Sequence, residues 1–226
     1  MVTGPVLPPK RCNFWMAMWA VAVSMARSGG FTIASYAPEV RKIVTRRLHQ
    51  ALDVCLAVKG THVVIQLPFT TWDYNHWGLY PDDAERMLSA ARDTLAPVLT
   101  RAQDTGVTFV LENIEDIEPA DRARLCAALD WQALALSVDT GHAHYAHGST
   151  GGPPVDYFIR DAGTKLAHVH LQDADGFGRS AMVQSCGPGC LRPLRKPGPT
   201  RARSLSCPKA GMIPSARYLQ SLGLAE

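Results

Sequence analysis

Five side chains able to bind a metal or move a proton gather near the ends of three short apolar runs. Glu112 follows Val107-Thr-Phe-Val-Leu111, Asp139 and His142 follow Leu134-Ala-Leu-Ser-Val138, and His168 and His170 sit inside Leu166-Ala-His-Val-His-Leu171. Carboxylate together with imidazole is a mixed oxygen and nitrogen donor set that suits Mn, Co, Zn or Mg, imidazole favouring the transition metals. One carboxylate proves little. Glu, then Asp-x-x-His, then His-x-His on three successive strand ends is a stronger signal, because a barrel gathers its strand C-termini around one cavity. Residues two apart on a strand share a face, so His168 and His170 are both expected to reach the barrel interior. His144 and His147 read instead as caps or loop hydrogen-bonders. Glu115, Asp116 and Asp175 read as solvated groups or as partners of the ligands rather than ligands.

The elements that must position these groups alternate. Continuous apolar runs suit strands buried on both faces, as in a parallel sheet, and helix-compatible stretches separate them, which gives an α/β fold. Apolar residues at helical spacing (Val40, Val44, Leu48, Leu52, Cys55) predict a helix over Pro38–Val58, with Gly60 as its stop. A strand over Thr61–Pro68 runs into Pro68–Asn75, an aromatic loop that either lines a polar pocket or lies on the surface around a packed Trp72. Asp82 and Asp83 can cap a helix running to about Asp104, kinked or broken early by Pro97 and stopped by Gly106. Further helices are expected over Pro119–Leu129 and Val155–Ala162, with a flexible turn over His147–Pro154. Strand-helix units of roughly 30 to 45 residues fit a (β/α) barrel or a doubly wound sheet. No Gly-x-Gly-x-x-Gly turn follows a strand, so a dinucleotide site has no support.

Composition narrows the partners. The chain has 226 residues, 46% of them hydrophobic, and a formal net charge of +3, as in an ordinary soluble globular protein with one sizeable core. The basicity is local: Phe177–Ala210 holds seven Lys or Arg and no acid, leaving 16 basic against 20 acidic side chains elsewhere. That stretch lacks interleaved aromatics and a helical stripe, which argues against nucleic acid as a partner. Cys55 and Cys126 fall on apolar helix faces, as buried thiols do. Cys186 and Cys190, followed only by Cys207, lack the second pair of a zinc module. At the N-terminus, Lys10-Arg11, the apolar run Phe14–Ala26 and Arg27-Ser-Gly-Gly30 admit three readings: a secretory signal, a buried helix or strand of the domain, or residues outside the original reading frame. The run is short for a membrane span, and the downstream domain has the look of a cytoplasmic metabolic enzyme.

Leu111-Glu-Asn-Ile-Glu-Asp116, Ser137-Val-Asp-Thr-Gly-His-Ala143 and His168-Val-His-Leu-Gln-Asp173 resemble the signature segments of the sugar phosphate isomerase/epimerase superfamily. This is the xylose isomerase-like TIM-barrel group, which also holds apurinic endonucleases of the endonuclease IV type. The resemblance spans about Pro38 to Gly176. It implies a (β/α)8 TIM-barrel-like fold and a divalent metal held by Glu112, Asp139 and His170. It also implies proton transfer next to a carbonyl of a small sugar or polyol, with Glu112 catalytic. His142 would bind substrate, Glu118 would touch a substrate hydroxyl, and His168 would line the pocket.

Two departures accompany it. Gln66 ends its strand where relatives commonly place a histidine, which speaks against the endonuclease. The glutamate that the group's last strand normally supplies is not found, which leaves a crippled enzyme or a non-catalytic remnant with a partial metal site as further readings. The expected division is an unrecognised apolar segment over 1–30, a barrel core over 31–176, an irregular basic Pro/Gly/Arg-rich segment over 177–210 and a C-terminal helix over 211–226. A shifted reading frame, or a degenerate insert replacing the last β/α elements, would account for the third segment. A barrel incomplete in this way exposes strand edges and so points to a homo-oligomer or to aggregation.

Overall fold

The computed structural model describes residues 20–22, 32–171, 202–205, 217 and 220–221. Its centre is a sheet of six parallel strands in simple sequence order: β1 (Ala20–Ala22), β2 (His62–Gln66), β3 (Thr108–Glu112), β4 (Leu134–Asp139), β5 (Leu166–Leu171) and β6 (Ala202–Leu205). Parallel neighbours require crossovers. The described crossovers are helical: α2 (Thr71–His76) and α3 (Asp83–Thr105) join β2 to β3, α4 (Ala120–Leu129) joins β3 to β4, and α5 (Thr140–Thr150) with α6 (Val155–Ala162) joins β4 to β5. Helix α1 (Pro38–Ala57) precedes β2. The sheet curls until β1 and β6 approach within 8 Å at Cα.

Alternation along each strand splits the side chains between two cores. Val63, Ile65, Phe109, Leu111, Leu134, Leu136 and Val138 pack on the helices, whereas Val64, Val110 and Ala135, joined by Ala167, form a small apolar cluster on the inner face. The helix layer contributes Leu48 and Leu52 from α1 and Leu95 and Leu99 from α3, all fully buried, each stabilising the fold by about 1.5–3 kcal/mol. The period-two phase that sends Phe109 and Leu111 outward to the helices turns Glu112 inward with Val110. In β4 it does the same for Ser137 and Asp139.

Strand β5 keeps that phase only through a bulge. Leu136 pairs with Leu166, but Ser137 pairs with His168 and Asp139 with His170. The extra residue in β5 places both imidazoles opposite the inward residues of β4. In unshifted register, Asp139 would face Val169.

Several expectations need correction. The aromatic stretch after Pro68 is not all loop: Thr70 opens α2 with a capping box to Asp73, and Trp72 is exposed, stacked on His76. Pro97 does not break α3, which continues to Thr105. The Thr45 hydroxyl of α1 donates to the Thr94 carbonyl, which ties the turn before the proline ring to α1. Asp82 precedes α3 without a side-chain cap bond. The left-handed residue after α1 is Lys59, φ 56°, with Gly60 N–H donating to Cys55 O. The pattern is a Schellman stop displaced one residue from the expected glycine. His147–Thr150 belongs to α5 rather than to a flexible turn.

At the flanks, a strand is realised at Ala20–Ala22 in the apolar N-terminal run, paired with β2. Another lies at Ala202–Leu205, within the stretch expected to be irregular, paired with β5. Residues 217, 220 and 221 are helical. Asp175, Cys12, Cys186, Cys190 and Cys207 lie outside the described residues. Cys55 and Cys126 are buried free thiols, as expected. Among the described residues no helix is long and apolar enough to cross a membrane.

Candidate metal centre

Three strand ends bring Glu112, Asp139 and His170 together, with one donor atom from each lying within 4.8 Å of the others. His170 Nδ1 is 2.8 Å from Asp139 Oδ2 and 3.6 Å from Glu112 Oε1. The second distance is too long for a hydrogen bond, and Glu112 Oε1 is buried without one. Asp139 serves two neighbours with its two oxygens. Oδ1 accepts the His142 backbone N–H at 2.9 Å and caps α5, while Oδ2 faces His170. The Asp-x-x-His spacing therefore follows from cap geometry. His142 stands over the cluster, its Nε2 3.7 Å from Asp139 Oδ2, and remains a third exposed.

Electrostatics divide the cluster unevenly. Burial raises the Glu112 pKa above the ordinary carboxylate range, and the Asp139 charge adds to it, against the opposing pull of His170. Burial acts on Asp139 in the same sense, but the hydrogen bond from His170 and the charge of His142 outweigh it and hold that carboxyl low. His170, which burial alone would keep neutral, is pushed up to about 10 by the two carboxylates. The imidazolium occupies the place of a cation between two acids.

The residues present fit a divalent ion. Two buried carboxylates and one imidazole form an oxygen-rich mixed donor set, and the Glu112 oxygen that lacks a hydrogen bond supplies an acceptor already stripped of water. Among the described residues this is the one group of three or more such side chains so placed.

The remaining expected residues divide. His168 is fully buried beneath the cluster, its Nδ1 2.8 Å from Ser137 Oγ. Burial, with His170 and His62 nearby, lowers its pKa to about 3, so it is a neutral floor group. Glu118 is not brought to the cluster: it is exposed, and its Oε1 accepts the Ala120 N–H at the start of α4. Glu115 accepts from the Thr71 N–H at 3.2 Å, tying α2 to the β3–α4 loop. His147 Nδ1 is 2.7 Å from Gly152 O, in the capping role expected of it. Asp116 is not solvated but fully buried, 3.3 Å from Arg122 Nε. Gln66 lies beside Glu112 in the ladder.

Three further residues take part in the cluster's surroundings. His62 opens β2, and its ring centroid lies 6.3 Å from that of His168; its inward phase, shared with Val64, was the available signal. Ser137, within an apolar run, holds His168. Asn113, next to Glu112, grips the Asp139 backbone, and no spacing rule announces it.

Solved structures share this architecture at low identity. The TTHB071 protein from Thermus thermophilus, from crystals soaked with ZnCl2, has a TM-score of 0.62 at 23% identity, covering 85% of this chain and 73% of that one. A D-tagatose 3-epimerase-like protein has a TM-score of 0.64 at 19% identity, covering 95% and 83%. The 3-keto-D-glucoside 4-epimerase of E. coli in its apo form has a TM-score of 0.59 at 17% identity, covering 85% and 74%. No curated protein matches in sequence. The model of one family, described as the xylose isomerase-like TIM barrel, matches residues 19–197, a span that takes in β1 to β5 and the three strand ends just described. The chain belongs to the xylose isomerase-like TIM-barrel family.

Proposed function

We propose that the chain is a divalent-metal-dependent isomerase or epimerase of a small sugar or sugar phosphate, working by proton transfer at the carbon next to a carbonyl. The observation that carries this reading is the convergence of Glu112, Asp139 and His170, with a buried Glu112 oxygen left without a hydrogen-bond partner. That two structural neighbours are named as epimerases or epimerase-like supports it.

Glu112, Asp139 and His170 would hold the ion. When bound, such an ion polarises adjacent carbonyl and hydroxyl oxygens and so acidifies the neighbouring C–H. Glu112 would take that proton, as a positioned carboxylate can. Asp139, fixed by its cap to α5, keeps its charge and orients His170. His142, partly exposed over the cluster, is the group to hydrogen-bond a substrate hydroxyl, and neutral His168 closes the floor against bulk water. Glu118 reaches a hydroxyl only if its bond to Ala120 N–H is released.

The strand after His170 brings no acid. Ser204 of β6 stands in register with His170, and from Gly176 onward Glu226 is the sole acidic residue. The return of the proton on the opposite face then falls to His142 or to water, which predicts slow turnover.

The test is elemental analysis of the purified protein together with ketoses and their phosphates in deuterated water. About one Mn, Co or Zn per chain, lost in Glu112→Gln and His170→Ala, with metal-dependent deuterium uptake next to the carbonyl, is expected. Stoichiometric metal without exchange on any ketose would instead favour a non-catalytic metal-binding barrel.

A further inference from the structure

Asp139 lies beyond the reach of the β3–β4 ladder. The last paired residues are Glu112 and Ser137, so Asp139 lies two positions beyond the backbone contact that fixes β4 to β3. On its other side Asp139 is held, because it pairs with His170 in the β4–β5 ladder. Without a further link the Asp139–His170 pair could shift relative to Glu112.

Asn113 supplies that link. Its side chain is 1% exposed. Nδ2 donates to the Asp139 carbonyl at 2.9 Å, and Oδ1 accepts the Asp139 N–H at 2.8 Å. The primary amide thus meets both the N–H and the C=O of Asp139, one donor and one acceptor against one acceptor and one donor, as the neighbouring strand's backbone would if the ladder ran on. The fixed polarity of the Asp139 backbone leaves a single orientation for the amide. Asparagine is also the shortest side chain that carries both functions. An aspartate of the same shape would accept from Asp139 N–H but turn a second acceptor on Asp139 O, and an alanine would remove both bonds.

We infer that Asn113 is a positioning residue for the metal centre, setting the distance between Glu112 and Asp139 by standing in for the missing rung between β3 and β4. The inference rests on the reading of Glu112, Asp139 and His170 as metal ligands. It goes further in assigning to a residue that touches no ligand donor atom the spacing on which the site depends. A residue that merely satisfied the buried peptide of Asp139 would influence folding alone. A positioning residue changes how tightly, and in what geometry, an ion is held by chains that remain folded.

Cobalt(II) titration of the purified full chain, followed by visible absorption, separates the two, with urea unfolding of each metal-free variant measured in parallel. Wild type is expected to bind one Co2+ per chain. Asn113→Asp, which preserves volume, and Asn113→Ala are expected to raise Kd roughly ten- to hundredfold and to alter the absorption bands. Leu48→Ala, a core truncation in α1, serves as the destabilised control and is expected to keep both wild-type Kd and spectrum. If Asn113→Asp remains folded and binds Co2+ with wild-type Kd and bands, the inference is overturned while the metal centre stands. If wild type binds no Co2+, the metal centre fails and the inference falls with it.

Discussion

Two buried charge clusters lie within a few residues of each other, one at the strand ends and one between the β3–α4 loop, α4 and α6. Arg122 is the largest fully buried side chain among the described residues. It donates from Nη1 to Ser137 O at 2.9 Å and from Nη2 to Phe158 O at 3.2 Å, and its guanidinium lies over the Phe158 ring. Asp116 accepts the Ile114 N–H and faces Arg122 Nε at 3.3 Å, an ion pair not aligned as a hydrogen bond. Burial raises the Asp116 pKa and lowers that of Arg122, and each charge opposes the shift in the other. One acid meets one base, and the remaining donors end on backbone carbonyls. At the strand ends two buried acids share His170, with the partly exposed His142 3.7 Å from one of them. An acid oxygen lacks a hydrogen bond in each cluster, but Asp116 Oδ2 has a fully buried guanidinium beside it and Glu112 Oε1 does not. Balanced burial joins elements together. Unbalanced burial marks a place where a cation is wanted.

The largest expected effect comes from breaking the balanced cluster. Arg122→Ala leaves Asp116 buried and unpaired and strips Ser137 O and Phe158 O of their donor, so urea unfolding should show a loss of about 3–5 kcal/mol. A loss below about 1 kcal/mol, the range of an exposed ion pair, would mean that water replaces the guanidinium and that the cluster is not a structural joint.

Next in size is the response of the unbalanced cluster to its cation. Binding to the folded state alone stabilises by about 2.7 kcal/mol at a hundredfold excess over Kd. Adding the metal found by elemental analysis should raise Tm, and a chelator should reverse the rise. Glu112→Gln should abolish this response while leaving metal-free stability unchanged or improved by about 1 kcal/mol, because it removes a desolvated charge that burial disfavours. Asp116→Asn, by contrast, should destabilise with or without metal. If both carboxylate replacements destabilise the metal-free protein equally, the distinction between the clusters is wrong.

The order of strands and helices was legible because apolar runs and helical spacing record burial directly. Glu112 and Asp139 were legible for a related reason, since each ends such a run, and His170 as one of a His-x-His pair sharing a strand face. What stayed hidden depended on contacts between distant segments. Pro97 reads as a break, whereas the helix that carries it is tied to α1 by a bond from the Thr45 hydroxyl to the Thr94 carbonyl, 49 residues apart. Asp116 looked solvated because its partner Arg122 is a charge on an otherwise ordinary helix. For Glu118 the family resemblance implies a contact to a substrate hydroxyl, whereas its carboxylate accepts the Ala120 N–H two residues on. The bulge in β5 was silent too, since Leu-Ala-His-Val-His-Leu reads equally well with or without a shift of register.

The smallest expected effect sharpens the comparison from outside both clusters. His62, on the inner face beside His168, shares one hydrogen bond with Thr61 Oγ1, and burial is the influence that sets its charge. Its pKa therefore falls below the ordinary value of 6.5, opposite in direction to that of His170. A histidine whose folded pKa lies below its unfolded one binds fewer protons when folded. Its contribution to stability is complete above the unfolded pKa and is lost as pH falls below about 6.5. His62→Gln should accordingly flatten the metal-free stability profile between about pH 6.5 and 5 relative to wild type, as read by urea midpoints. A profile that steepens on this substitution would mean that the imidazole is held charged, and that the floor of the barrel carries an acid partner as the strand ends do.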